Sequence, residues 1–252
     1  MSEGLDPRML LRGYAAGIFP MADSREAGDI FWVEPRNRAI IPLDSFQVSR
    51  SLAKRVRSGR FTVTSDRAFH EVLLACADRE ETWINSVIER ATLGLHAVGQ
   101  AHSIECWHDE QLVGGLYGVK LGRAFFGESM FSRMTDASKV ALAWLVARLK
   151  AGHFTLLDCQ FMTPHLATLG ATTVSRDRYV ALLSSALSSA GVASGGSAPS
   201  SGCAVPVGSS AVSMVLPPPE FEALDRLLET AGAAGAAGPS GHFIAQLLGQ
   251  TS

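Results

Sequence analysis

The chain has 252 residues, of which 47% are hydrophobic and 18% are charged, and its formal net charge is −2. This length predicts one large domain or two small ones, and the near-neutral charge excludes a global basic field, so any RNA contact needs a local patch. The sequence has no run of about 18 apolar residues, so we expect no membrane span. It has no secretory pattern at its start, which predicts a cytoplasmic protein with reduced thiols. Its cysteines lack the spacing of a metal site, so we expect no metal.

The first part of the chain predicts short elements separated by turns. A helix over residues 5–16 precedes two short strands within residues 30–43. Residues 49–60 then predict a short basic helix that ends at a glycine. We therefore expect a small N-terminal domain over residues 1–62.

The next segment has the pattern of an α+β domain. A strand over residues 61–65 leads into two helices, and Ser65 is the expected N-cap of the first, over residues 66–77. Residues 102–131 then read as three antiparallel strands joined by tight connections, at Asp109 and Glu110 and at Gly122.

A helix over residues 136–151, with Asp136 as expected N-cap, links this meander to a strand over residues 154–160. The strands before and after the helix predict parallel neighbours joined by a right-handed crossover. A short helix capped by Thr163, a strand and a last helix complete a mixed central sheet flanked by helices. We expect this domain to cover residues 63–188.

After residue 188 the composition changes to Gly, Ser and Ala without periodicity. Residues 189–252 are therefore predicted to be a low-complexity, largely disordered extension.

Polar residues at the end of the predicted strand 154–160 mark the first candidate site. Asp158 and Gln160 are two apart and should project from the same face, with Cys159 pointing into packing. An Asp can accept a hydrogen bond from the Gln amide and so fix the direction of its carbonyl oxygen. A hydrogen-bonded pair without chemistry, or a Cys159–His165 nucleophile, are the alternatives, although the strand alternation argues against the nucleophile.

Glu128 is the second candidate, because it lies among aromatic and apolar residues. An acid in such surroundings has a partner or a raised pKa, unless it sits at the solvent edge of a strand. Apolar residues near it could form a pocket or ordinary core: Leu116, Met130, Leu145 and Leu157.

The predicted helix over residues 49–60 carries the one concentrated basic patch of the sequence. Arg50, Lys54 and Arg57 have the i, i+4, i+7 spacing of a single helix face. This face fits contact with phosphates or a simple solvated surface.

Several motifs, in order from about Leu5 to about Leu187, closely resemble one family, the leucyl/phenylalanyl-tRNA–protein transferases. They include "GIFPM", "TWINSVI", "LVGGLYGV", "FFGESMFSR", "LLDCQ" and "RDRYVALL". The resemblance implies a GNAT-like C-terminal domain and transfer of Leu, Phe or Met from aminoacyl-tRNA to proteins that begin with Arg or Lys. The product is an N-degron for bacterial proteolysis, and the resemblance implies no cofactor. We expect a monomer.

The resemblance also implies roles for particular residues. The catalytic group is Asp158, Gln160 and Glu128. The aminoacyl pocket is Leu116, Phe125, Met130, Leu142, Leu145 and Leu157. The tRNA-binding residues are Tyr14 and Trp83, near the terminal adenosine, and the basic face of Arg50, Lys54 and Arg57.

Two departures limit what the resemblance implies. Met21 stands where better-known members have Trp, and Leu116 and Leu145 replace larger residues, so the preference between Leu and Phe stays open. A related transferase acting on acidic N-termini and a non-catalytic tRNA-binding module are the alternative functions. An acyl-CoA transferase would need a Gly-rich loop at a helix start, which the sequence lacks.

Overall fold

A computed structural model describes residues 5–188, 217–233 and 240–249. The helices in these residues are α1 (Pro7–Ala15), α2 (Arg50–Arg57), α3 (Phe69–Ala77), α4 (Ser86–Ala97), α5 (Ala137–Ala151), α6 (Pro164–Ala167), α7 (Arg176–Ser188), α8 (Ala223–Ala233) and α9 (Ser240–Gly249). The strands are β1 (Phe19–Met21), β2 (Phe31–Val33), β3 (Asn37–Ile41), β4 (Thr62–Ser65), β5 (Ala101–His108), β6 (Gln111–Leu121), β7 (Ala124–Ser132), β8 (Leu156–Gln160) and β9 (Thr172–Ser175).

Within the described residues, seven strands form one mixed sheet in the order β4-β5-β6-β7-β8-β3-β9. The meander β5-β6-β7 is antiparallel, and β7 and β8 are parallel neighbours connected through α5. The predicted meander and the predicted parallel pairing across α5 are therefore confirmed. The α+β fold is also confirmed, with a mixed central sheet flanked by helices.

Helices cover the sheet on two faces, and each face has its own apolar core. Helices α2, α5, α8 and α9 contribute to one core, which we call the α5 face. Helices α1, α3, α4 and α7 contribute to the other core, which we call the α3 face. Buried residues occupy all sides of α5 because α2, α8 and α9 pack on it from outside.

The predicted domain boundary after residue 62 is wrong. Strand β3 lies inside the large sheet, between β8 and β9, and β2 pairs with β1 instead of with β3. Ile40 and Ile41 are buried in this position. The division between the two parts therefore falls before β3, because a boundary after residue 62 would cut the sheet.

The prediction of a largely disordered extension is wrong for residues 217–233 and 240–249. Phe221 and Leu224 are buried in the core of the α5 face, as are Ile244 and Leu248 of α9. The buried Arg148 of α5 binds the Asp225 carboxylate through two nitrogens, each at 2.6 Å. The other residues of the predicted extension lie outside the described residues.

Of the three predicted N-caps, Ser65 is wrong, because it is the last residue of β4 and α3 begins only at Phe69. Asp66 (φ 57°) turns away from α3, and its carboxylate accepts hydrogen bonds from the Ser103 backbone N–H and from His102. Asp136 (φ 70°) does occupy the N-cap position of α5, but its side chain makes no cap hydrogen bond and pairs with Arg55. The predicted cap Thr163 is confirmed, since its hydroxyl accepts from the Leu166 N–H.

Candidate active site

A cavity of about 380 Å³ opens where the pairing of β7 and β8 ends. The two strands pair from Ala124 with Leu156 to Phe126 with Asp158, and no later pair joins them. Ligands commonly bind at the carboxyl ends of such strands. Residues of both faces of the sheet line this cavity, so it has two chemically different halves.

The half on the α5 face is apolar. Five of the six residues predicted for the aminoacyl pocket line it: Leu116, Met130, Leu142, Leu145 and Leu157. The sixth, Phe125, does not line the cavity, because its fully buried ring stacks on Phe221 with ring centroids 5.7 Å apart.

The half on the α3 face is more polar. Trp83 and Met21 line it, and the Arg79 guanidinium lies 5.9 Å from the Trp83 ring centroid. Tyr14, expected near the terminal adenosine, is buried, and its ring packs on Phe126. Tyr14 therefore presents no free face on which a nucleic-acid base could stack.

Glu128 lies between the two halves and is the extra residue of a β-bulge. Tyr117 pairs with Ser129 and Gly118 pairs with Gly127, which leaves Glu128 unpaired. Its carboxylate accepts hydrogen bonds from Gln160 Nε2, at 2.9 Å, and from the Tyr14 hydroxyl. Burial raises the pKa of Glu128 to about 7, and these two hydrogen bonds only partly offset the effect. Glu128 can therefore gain or lose a proton near neutral pH.

Asp158 is fully buried and does not line the cavity. Arg38 binds it in a forked arrangement, with Nε 2.9 Å from Oδ1 and Nη2 2.6 Å from Oδ2. The Tyr179 hydroxyl donates to Oδ2 at 2.7 Å, and the Gln160 backbone N–H donates to Oδ1 at 2.8 Å. Asp158 therefore anchors the backbone of Gln160.

The expectation that Asp158 holds the Gln160 side-chain amide is wrong. Gln160 has a left-handed backbone (φ 61°), which ends the strand alternation and turns its side chain to Glu128. With Nε2 donating to Glu128, the Gln160 oxygen remains as an oriented acceptor at the cavity.

Cys159 points to the side of β8 opposite Asp158, as expected, where it packs against the core of the α5 face and also lines the cavity. Burial raises the pKa of the Cys159 thiol far above its usual range, and Asp158 adds to this effect. The thiol therefore stays protonated, which argues against a Cys159–His165 nucleophile although His165 also lines the cavity.

Two profiles of one family match the chain. The profile described as leucyl/phenylalanyl-tRNA protein transferase matches residues 40–184, and that of its N-terminal domain matches residues 3–36. A leucyl/phenylalanyl-tRNA–protein transferase of Rhizorhabdus wittichii is 58% identical, with 99% of this chain and 100% of the relative covered. The chain belongs to this family.

Other members of the family are similarly close. The transferase of Zymomonas mobilis is 60% identical over 75% of this chain and 72% of its own, and that of Cereibacter sphaeroides is 61% identical over 73% and 86%. A solved structure of L-PGS from Bacillus licheniformis is 14% identical with a TM-score of 0.36, covering 65% of this chain and 56% of that chain, which is too distant to inform the site.

As a member of the leucyl/phenylalanyl-tRNA–protein transferase family, the protein is an aminoacyltransferase. Its predicted basic face lies on α2, outside the cavity. Arg50, Lys54 and Arg57 are exposed there, while Leu52 and Val56 face the core. Among the helices of residues 5–188, 217–233 and 240–249, none combines the length and apolar character needed to cross a membrane.

Sequence reasoning missed four residues at this transferase site: Arg38, Arg79, Tyr117 and Tyr179. Arg38 had a usable signal, because an arginine within the apolar strand "NRAII" needs a partner if the strand is buried. The other three had none, since their positions depend on how distant segments meet.

Proposed function

We propose that this protein transfers Leu, Phe or Met from aminoacyl-tRNA to the α-amine of proteins that begin with Arg or Lys, which marks them for bacterial proteolysis. The two-sided cavity carries this proposal. Its apolar half fits an aliphatic or aromatic side chain, and Gln160 and Glu128 stand between that half and the polar one. The names of the close relatives support the same donor. The donor is made in the cytoplasm, so the enzyme acts there.

Attack by the amine on the ester carbon needs no external energy source, because an aminoacyl ester is already activated. The enzyme must exclude water and hold the amine near the carbonyl carbon, and positioning of this kind supplies several kcal/mol. The Gln160 oxygen accepts a hydrogen bond from the amine and directs its lone pair. Gln160 does not take the proton, because a neutral amide has no pKa near 7.

Glu128 is the proton acceptor in this scheme. It lines the cavity, touches Gln160 and has a pKa of about 7, which suits a general base at neutral pH. As the C–N bond forms, the amine proton passes to Glu128. As the C–O bond to the ribose breaks, a proton returns to the ribose oxygen.

The tRNA body contacts the basic face of α2, and the terminal adenosine lies near Trp83. Changing Arg50, Lys54 and Arg57 to Glu should weaken tRNA binding and flatten its salt dependence. The matched control changes three exposed arginines of α1 and α4, on the α3 face, to Glu: Arg8, Arg12 and Arg90. An equal effect of both triple variants would leave α2 without a specific role.

Transfer of labelled Leu from Leu-tRNA to peptides that begin with Arg, Lys, Asp or Ala tests the whole proposal. We expect label on the Arg and Lys peptides only. Label on the Asp peptide would instead identify a transferase for acidic N-termini. Tight tRNA binding without transfer to any peptide would favour a non-catalytic tRNA-binding module.

A further inference from the structure

Tyr117 has a place in the site that neither the motifs nor the catalytic scheme uses. It lies on β6 opposite the bulge at Glu128, and it is part of the cavity wall on the α3 face. Only 1% of its surface is exposed, and its ring meets the Phe69 ring edge-on. The ring is therefore held in place from behind.

The hydroxyl of this buried tyrosine has no hydrogen-bond partner in the described part of the chain. The other two tyrosines differ, because the hydroxyl of Tyr14 donates to Glu128 and that of Tyr179 donates to Asp158. Buried hydroxyls almost always have a partner, and one without a partner destabilises the protein. An unpaired donor on a residue that lines a substrate cavity points to a partner that arrives with the substrate.

Tyr117 keeps its hydrogen-bond donor at working pH. Burial raises the pKa of Tyr117 well above its usual range, and the nearby Glu128 raises it further. The hydroxyl therefore keeps its proton and can donate a hydrogen bond to an acceptor atom of the substrate.

We propose that the Tyr117 hydroxyl donates a hydrogen bond to the carbonyl oxygen of the aminoacyl ester and stabilises the negative charge that this oxygen gains during transfer. The inference rests on the proposed function, because the amine is placed at Gln160 and Glu128. The reacting carbon must lie about 3–3.5 Å from the amine nitrogen. Because Tyr117 lies opposite the Glu128 bulge and lines the cavity, the carbonyl oxygen of the ester is the substrate acceptor that we assign to its hydroxyl.

The chemical step balances with this assignment. The amine nitrogen forms a bond to the ester carbon, and the carbonyl π electrons move to the oxygen held by Tyr117. The amine proton goes to Glu128. The oxygen then re-forms the double bond, the C–O bond to the ribose breaks, and the ribose oxygen takes the proton from Glu128. Tyr117 keeps its proton throughout.

The test is Tyr117→Phe, which deletes the hydroxyl and keeps the ring. We expect kcat for Leu transfer to fall about 100-fold, as for loss of one oxyanion donor, with KM for Leu-tRNA within about twofold of wild type. The melting temperature should stay equal or rise, because an unpaired buried hydroxyl is removed. A purely structural role would lower both melting temperature and activity, and would overturn the proposal.

Tyr179→Phe is the matched variant for stability, since it also deletes one buried hydroxyl. That hydroxyl has a partner, so Tyr179→Phe should lower the melting temperature where Tyr117→Phe does not. If Tyr117→Phe transfers Leu within twofold of wild type, or changes only KM, the assignment to the carbonyl oxygen is wrong. Failure of the wild-type protein to transfer Leu would instead refute the proposed function itself.

Discussion

Asp158 and Glu128 are both buried carboxylates in contact with Gln160, yet their surroundings differ. Asp158 accepts from Arg38, Tyr179 and the Gln160 backbone, so a cation balances its charge. Glu128 accepts from Gln160 Nε2 and Tyr14, with no cation bonded to it among the described residues, and its pKa rises to about 7. The partners of a buried carboxylate therefore decide whether it anchors the fold or exchanges a proton.

The largest effect should come from breaking the Asp158 pair. Asp158→Ala leaves the Arg38 charge buried without its partner, and we expect about 3–5 kcal/mol less stability in urea unfolding. The double variant Arg38→Met with Asp158→Leu removes both charges and should recover much of this loss. A single variant that loses less than about 1 kcal/mol would show that Asp158 does not anchor the fold.

Gln160→Ala should act on catalysis. Loss of the oriented oxygen should lower turnover about 100-fold or more, a cost typical of one catalytic hydrogen bond. Affinity for Leu-tRNA and thermal stability should stay near wild type. An equal loss of Leu-tRNA affinity would make Gln160 a binding residue and would weaken its contrast with Asp158.

Glu128→Gln should change how stability depends on pH. The pKa of Glu128 rises on folding from 4.5 to about 7. The contribution of this residue to the free energy of unfolding is therefore fully present below pH 4.5 and is lost as the pH rises through 7. Between pH 4.5 and 8 the wild type should therefore lose roughly 3 kcal/mol relative to Glu128→Gln. Urea unfolding of both proteins at several pH values measures this difference, and parallel curves would contradict it.

The smallest effect should come from a change in the apolar half of the cavity. Leu145→Ala enlarges the pocket and should shift the ratio of kcat/KM for Phe-tRNA and Leu-tRNA towards Phe by about 1–3 kcal/mol. Phe125→Leu is the control, because Phe125 is buried outside the cavity and should leave the ratio unchanged. An equal shift in the control would place selectivity elsewhere.

Local pattern was enough to predict the meander, the helix that follows it and the polar end of β8, because each depends on residues close in sequence. It also predicted that Glu128 would have a partner or a raised pKa, and the structure has both. The contact between Arg38 and Asp158 joins positions 120 residues apart, so no local pattern could reveal it.

Two features of the sequence misled the prediction. The strand alternation at Gln160 fails because the backbone of this residue is left-handed. Its side-chain amide therefore donates to Glu128 and not to Asp158 as predicted. Helices α8 and α9 lie in Gly- and Ala-rich surroundings, and only their buried faces on α5 and α2 distinguish them from a linker.

The most direct test of the contrast between the two carboxylates is to titrate Glu128 itself. Protein labelled with ¹³C at the glutamate side-chain carboxyl carbons can be followed by NMR, with the Glu128 signal assigned by its absence in Glu128→Gln. A midpoint near pH 7 for this signal would agree with a proton acceptor held without a cation partner. A midpoint near 4.5, the ordinary glutamate value, would show that Glu128 stays ionised like a structural anchor and would remove it from the proton path.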